Sequence, residues 1–174
     1  MASIDLRGIW LCLPLLLLGG CKVNYSFTGA SVSPDVNTIS IATFDATRTP
    51  LAPPSLSLSF TEALKDRFLR QTSLTLVKNN GDLMIDGEIT GYVQRDEAAT
   101  GTTASVTTLS RLTISVKVRF IDTKHEENSY EQSFSNMEQF DASSQTLAEV
   151  EEQLIEAINE KLTQDIFNRT LGNW

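Results

Sequence analysis

Few side chains in this sequence have types and spacings that could do chemistry. The only imidazole, His125, lies in the charged stretch Asp122-Thr123-Lys124-His125-Glu126-Glu127. A zinc site would need further histidines or thiolates beside it, and two adjacent carboxylates are too few to specify one. This stretch reads as a solvated polar turn. Ser55, Ser57 and Ser59 open an expected helix, where hydroxyls cap backbone N–H groups more readily than they attack substrates. No phosphate-binding glycine loop or dinucleotide fingerprint follows any expected strand. What remains is electrostatic. Lys117 and Arg119 share one face of an alternating segment, with Arg111 just before it, and such a row could hold phosphate groups through charge-assisted hydrogen bonds. Cross-strand pairing competes for the same cations: Glu131, Asp86 or Glu88 would neutralise the row as surface ion pairs worth under ~1 kcal/mol each.

Cys21 is the other reactive group. It closes Leu18-Gly19-Gly20-Cys21 at the end of an apolar run from Ile9 to Leu18 that only Pro14 interrupts. Ten helical residues cross about half of a ~30 Å hydrocarbon core, so the run is too short to span. Arg7 and the amino terminus ahead of it, with small residues behind it, give the layout of a signal peptide. The last four residues resemble the lipobox of bacterial lipoproteins, in which cleavage precedes the cysteine and its sulfur takes a diacylglyceryl group. Several acyl chains at ~0.8 kcal/mol per buried methylene make such an anchor effectively permanent. Lys22 stands where an aspartate would retain a lipoprotein at the inner membrane, so the resemblance implies the periplasmic side of the outer membrane. The expected division is 1–20 signal peptide, 21–37 lipidated tether and 38–174 a single domain.

Processing removes Asp5 and Arg7 together, one charge of each sign, and the formal net charge stays at −8. An excess of that sign argues against nucleic acid as a partner. Cys12 leaves with the signal peptide and Cys21 is acylated, so no thiol remains for a disulfide or a thiolate metal site. No cofactor is expected beyond the diacylglycerol and acyl chain on Cys21. The domain must stand on its apolar core.

Periodicity supplies that core. Thr38 to Phe44 alternates as a half-buried strand, and Thr47 to Pro54, with Pro50, Pro53 and Pro54, is an extended connector. In Ser55 to Gln71, Leu56, Phe60, Leu64 and Phe68 recur every four residues, which predicts an amphipathic helix opened by Ser55, or by Ser59 with Glu62. Leu74 to Val77, a turn at Lys78 to Asp82, and Leu83 to Tyr92 look like a hairpin. Arg95 to Thr108 lacks apolar periodicity and reads as a long loop. Leu112, Ile114, Val116, Val118 and Phe120 then face one side of the clearest strand. A polar turn at Thr123 to Asn128 leads to another strand at Ser129 to Ser135, with Tyr130 and Phe134 on one face. Thr146, with Glu149 three residues on, marks the start of a long helix whose stripe is Leu147, Val150, Leu154, Ile158 and Leu162, running to about Asn168. Two helices with one apolar stripe each must cover a sheet with one apolar face. The expectation is an α/β (α+β) two-layer sandwich: a mostly antiparallel or mixed sheet of four to five strands covered on one face by two helices. Phe167 is expected in the core, while Trp174 is either docked or held for a partner.

The chain resembles the LptE family. The resemblance runs through Tyr25-Ser26-Phe27-Thr28-Gly29-Ala30-Ser31, the strand at Ile39 to Phe44, Phe60-Thr61-Glu62-Ala63-Leu64-Lys65-Asp66 and Gly81-Asp82-Leu83. It continues through Leu112-Thr113-Ile114, Glu131-Gln132-Ser133-Phe134-Ser135, Val150-Glu151, Asp165-Ile166-Phe167-Asn168 and Asn173-Trp174. It implies a non-catalytic lipoprotein that plugs the LptD β-barrel, helps that barrel fold, and contacts lipopolysaccharide on its way outward. A lipoprotein adaptor of another envelope machine, such as an activator of a peptidoglycan synthase, would share the same layout. A lipoprotein hydrolase would need a nucleophile and base that one histidine does not provide.

Overall fold

A computed structural model describes residues 32–97 and 108–172. The order of elements is β1 (Thr38–Ile41), α1 (Ser55–Gln71), β2 (Thr75–Leu76), β3 (Leu83–Asp96), β4 (Leu109–Asp122), β5 (Tyr130–Asp141) and α2 (Leu147–Leu171), with a 3-10 turn at Glu126–Asn128 before β5. The strands form one open, mixed sheet in the order β2-β1-β3-β4-β5. β1 runs parallel to both its neighbours, and β3, β4 and β5 are antiparallel. Both helices cover the same face, as the two apolar stripes require.

The expected hairpin between Leu74–Val77 and Leu83–Tyr92 does not form. β2 pairs with β1 through Thr38 and Thr75, and β3 takes the other side of β1. Burial explains the choice. Ile39 and Ile41 need covered neighbours on both sides, whereas Thr75 and Leu76 are exposed and suit a sheet edge. The turn between β2 and β3 passes through Asn80, at φ 54°, which asparagine tolerates better than most residues. β3 also continues to Asp96, past the expected end at Tyr92, and a bulge between Ile89 and Gly91 shifts its register. That shift turns Tyr92 to the core side, where Ile85 and Ile89 already point.

The core is a continuous apolar layer between sheet and helices. Leu56, Phe60, Leu64 and Phe68 of α1 are all buried, and so are Leu112 to Phe120 at alternate positions of β4. Phe44 meets Phe60 edge to face at 4.9 Å, and Phe68 meets Phe167 at 5.1 Å, which places Phe167 in the core as expected. Gly87 on β3 leaves room for Phe44: a Cβ there would strike the Phe44 ring and the Lys117 carbonyl. α1 starts without the expected serine cap, since Pro54 holds the cap position and Ser59 Oγ donates to the Leu56 carbonyl at 3.2 Å. α2 starts as expected. The Glu149 carboxylate accepts from the Thr146 backbone N–H at 2.7 Å and hydroxyl at 2.9 Å.

Candidate functional site

With both helices on one side, the other face of the sheet is open, and β4 carries Arg111, Lys117 and Arg119 onto it. Each cation has a carboxylate of its own. Arg119 stands opposite Asp86 and forks onto it, with Nε 3.0 Å from Oδ1 and Nη2 2.8 Å from Oδ2. Lys117 Nζ lies 2.5 Å from Glu131 Oε1, and Arg111 pairs with Glu97 at the far end of the strand. Glu88, the third expected partner, goes to Arg48 instead, at 2.9 Å. The hydrogen bond from Lys117, more than its charge, draws the Glu131 carboxyl below its ordinary range, while Asp86 raises the Arg119 guanidinium. Lys117 and Arg119 are brought together. Arg111 is six residues away along the strand, roughly 20 Å, so the three do not form one phosphate clamp.

Between the two charged ends lies a band of small and uncharged side chains. Gly91, Ser115 and Ser135 stand in one row across β3, β4 and β5, with the two serine hydroxyls 2.9 Å apart. The next row is Val93, Thr113 and Met137, where Val93 is 43 % and Met137 40 % exposed. Arg95 was not expected among the site residues because it was placed in the loop. β3 carries it to a position opposite Arg111, two like charges in register that ordinarily repel. The signal in the sequence was Arg95 at one end of the unpatterned stretch and Arg111 three residues beyond the other. Residues 98–107 of that stretch lie outside the described residues, as do Cys21 and Trp174.

His125 is less solvated than the charged turn implied. Asp122, buried in the same turn, accepts from the backbone N–H groups of Lys124 and His125, each at 2.9 Å. The imidazole sits over it, with Nδ1 3.5 Å from Asp122 Oδ2 and Nε2 3.8 Å from Asp35 Oδ2. The constellation organises a turn, in which the Asp122 backbone N–H also donates to Ser129 Oγ at 3.0 Å. Ser57 Oγ likewise donates to the Phe44 carbonyl, tying α1 to the segment after β1. No cluster of three or more histidine, cysteine, aspartate or glutamate side chains able to hold a metal occurs among the described residues. No helix among them is long and apolar enough to cross a membrane.

Comparison with known proteins adds a family. Residues 36–170 match LptE, described as lipopolysaccharide-assembly. No curated protein matches the sequence. Among solved structures, a neuraminyllactose-binding hemagglutinin homologue from Helicobacter pylori is 11 % identical with a TM-score of 0.53, over 83 % of this chain and 88 % of that one. A hypothetical protein from Chlamydia trachomatis is 12 % identical with a TM-score of 0.52, over 79 % of this chain and 99 % of that one. The rare lipoprotein B from Shewanella oneidensis is 12 % identical with a TM-score of 0.48, over 76 % of this chain and 92 % of that one. At such identities the first two likenesses show a shared fold and no more. The match over residues 36–170 takes in every strand and both helices of the described domain save the last residue of α2, Leu171, and by it the chain belongs to the LptE lipopolysaccharide-assembly family.

Proposed function

We propose that the protein is a non-enzymatic lipoprotein of the outer membrane, anchored on its periplasmic side through acylated Cys21. It partners an LptD-type β-barrel as plug and assembly factor in lipopolysaccharide transport to the cell surface. The family match across residues 36–170 carries this reading. The open sheet face supports it physically. A barrel lumen is polar, and a face on which Arg111, Lys117 and Arg119 are each paired with a carboxylate can lie against it, with the exposed Arg95 meeting a polar wall. The first strand begins at Thr38, seventeen residues after Cys21. A chain of seventeen residues reaches at most about 60 Å, enough to hold a domain of this size at the bilayer surface.

Contact with lipopolysaccharide phosphates through Arg111, Lys117 and Arg119 belongs to the same reading. It would require phosphate to displace Glu97, Glu131 and Asp86 from their cations. One experiment reads both parts. The full chain, tagged and extracted from outer membranes in detergent, is expected to bring down a large LptD-type barrel together with lipopolysaccharide. Recovery of a peptidoglycan synthase in place of the barrel would assign the protein to another envelope machine, and recovery of neither would overturn the reading. The doubly reversed variant Lys117→Glu, Arg119→Glu is expected to keep the barrel and lose lipopolysaccharide; unchanged lipopolysaccharide with an intact fold removes these two residues from the contact.

A further inference from the structure

Along the seam between α1 and α2 runs a groove of about 1050 Å³. Its lining includes Ser59 and Ala63 from α1 and Asn159 and Thr163 from α2. Two helices packed side by side over a core ordinarily close their seam with large apolar side chains. Here Ile155 is the only large apolar side chain in the lining, the rest being small or polar, and one of the polar ones is incompletely satisfied. Asn159 is only 3 % exposed. Its Nδ2 donates to Ser59 Oγ at 3.3 Å, while its Oδ1 is buried and accepts nothing. A buried acceptor left unpaired costs stability, so an apolar residue would serve the fold better at this position.

The rim of the groove has a definite sign. Glu152, Glu156 and Glu160 follow one another at four-residue spacing along α2, an arrangement in which like charges repel. Neither Glu152 nor Glu156 has a hydrogen-bond or ion-pair partner among the described residues. Two arginines of α1, Arg67 and Arg70, line the same groove but neither reaches Glu152 or Glu156. Arg70 holds Asp66 at 3.0 Å, and Arg67 donates to the Glu160 backbone carbonyl at 3.1 Å and to Gln164. The seam therefore combines more carboxylates than cations, two glutamates without a partner among the described residues, and a hydrogen-bond acceptor without a donor.

We propose that this groove receives lysine or arginine side chains projecting from the inner wall of the barrel partner. Their N–H groups supply the donor for Asn159 Oδ1, and their charge answers Glu152 and Glu156. Long basic side chains suit the site because an aliphatic stem can lie over Ala63 while the charged head reaches the polar atoms. The inference rests on the barrel reading above and names the chemistry by which the barrel would hold this domain.

The test compares barrel recovery by tagged full-length variants extracted in detergent. Glu152→Lys combined with Glu156→Lys is expected to lower recovery about tenfold or more, the doubly neutral Gln variant less. Asn159→Leu removes the unpaired acceptor, so its melting temperature should hold or rise while recovery falls. Glu62→Lys, an exposed charge change on α1 outside the groove, should leave recovery unchanged. Groove variants that recover as much barrel as wild type overturn the groove and leave the barrel reading standing. A wild-type chain that recovers no barrel overturns both.

Discussion

Asp82 shows how much of this fold a single carboxylate can organise. Its Oδ2 accepts from the Asn37 and Thr38 backbone N–H groups, each at 3.0 Å, and from the Thr38 hydroxyl at 2.8 Å. Its backbone carbonyl takes the Thr123 N–H at 2.9 Å, so β1, β3 and the end of β4 meet at one residue. Those hydrogen bonds, with that from Asn37 the largest influence, lower the carboxyl from its ordinary 3.8 to about 2. A pKa depressed by folding gives stability that is present above the unfolded value and disappears as pH falls through the folded one. The wild-type melting temperature should therefore decline between about pH 4 and pH 2, and Asp82→Asn should lower it at neutral pH while flattening that decline. Thermal unfolding across pH 2 to 7 checks both; parallel curves for the two proteins would remove Asp82 from this role. In the sequence Asp82 read as part of a turn, because nothing local reveals that its partners are 44 and 45 residues away. The basic row was more legible. Strand alternation brought Lys117 and Arg119 to one face, and cross-strand pairing with Glu131 and Asp86 was among the two uses it allowed.

Secondary structure was readable wherever one element's own pattern determined it. α2 begins at the Thr146 and Glu149 box, and β4 buries the alternate residues that its sequence alternation marks. Pairing was less readable. Lys78-Asn79-Asn80-Gly81 carries turn chemistry that fits a hairpin, but β1 competes for the edge of β3 and wins by burying Ile39 and Ile41. The bulge after Ile89 was likewise hidden, and with it the phase that puts Tyr92 in the core, where burial and then the hydrogen bond to Glu151 raise its phenol pKa. Gly87 offers an element-scale test of the β1 to β3 packing. A methyl group there meets the Lys117 carbonyl and the Phe44 ring, so Gly87→Ala should destabilise the domain by about 1–3 kcal/mol or more. Chemical denaturation measures this directly, and a variant as stable as wild type would mean that Phe44 can move aside without cost.

At the scale of the whole molecule, the sheet turns to one side a charged face on which Arg111, Lys117 and Arg119 are paired and Arg95 has no partner among the described residues, and the two helices turn an acidic seam to the other. Both faces carry charged side chains, surface suited to a polar enclosure. The family match supplies the process, lipopolysaccharide assembly, and the geometry supplies the surfaces that a partner would meet. The acidic seam was not legible beforehand, because it exists only where α1 lies beside the glutamates of α2. Arrival of lipopolysaccharide at the cell surface tests the central claim most directly, measured after depletion of this protein in its own cells and again after restoring the full chain. Surface lipopolysaccharide should fall severalfold on depletion, with newly made material retained at the inner membrane, and should recover with the restored chain. Unchanged delivery in depleted cells would contradict the account.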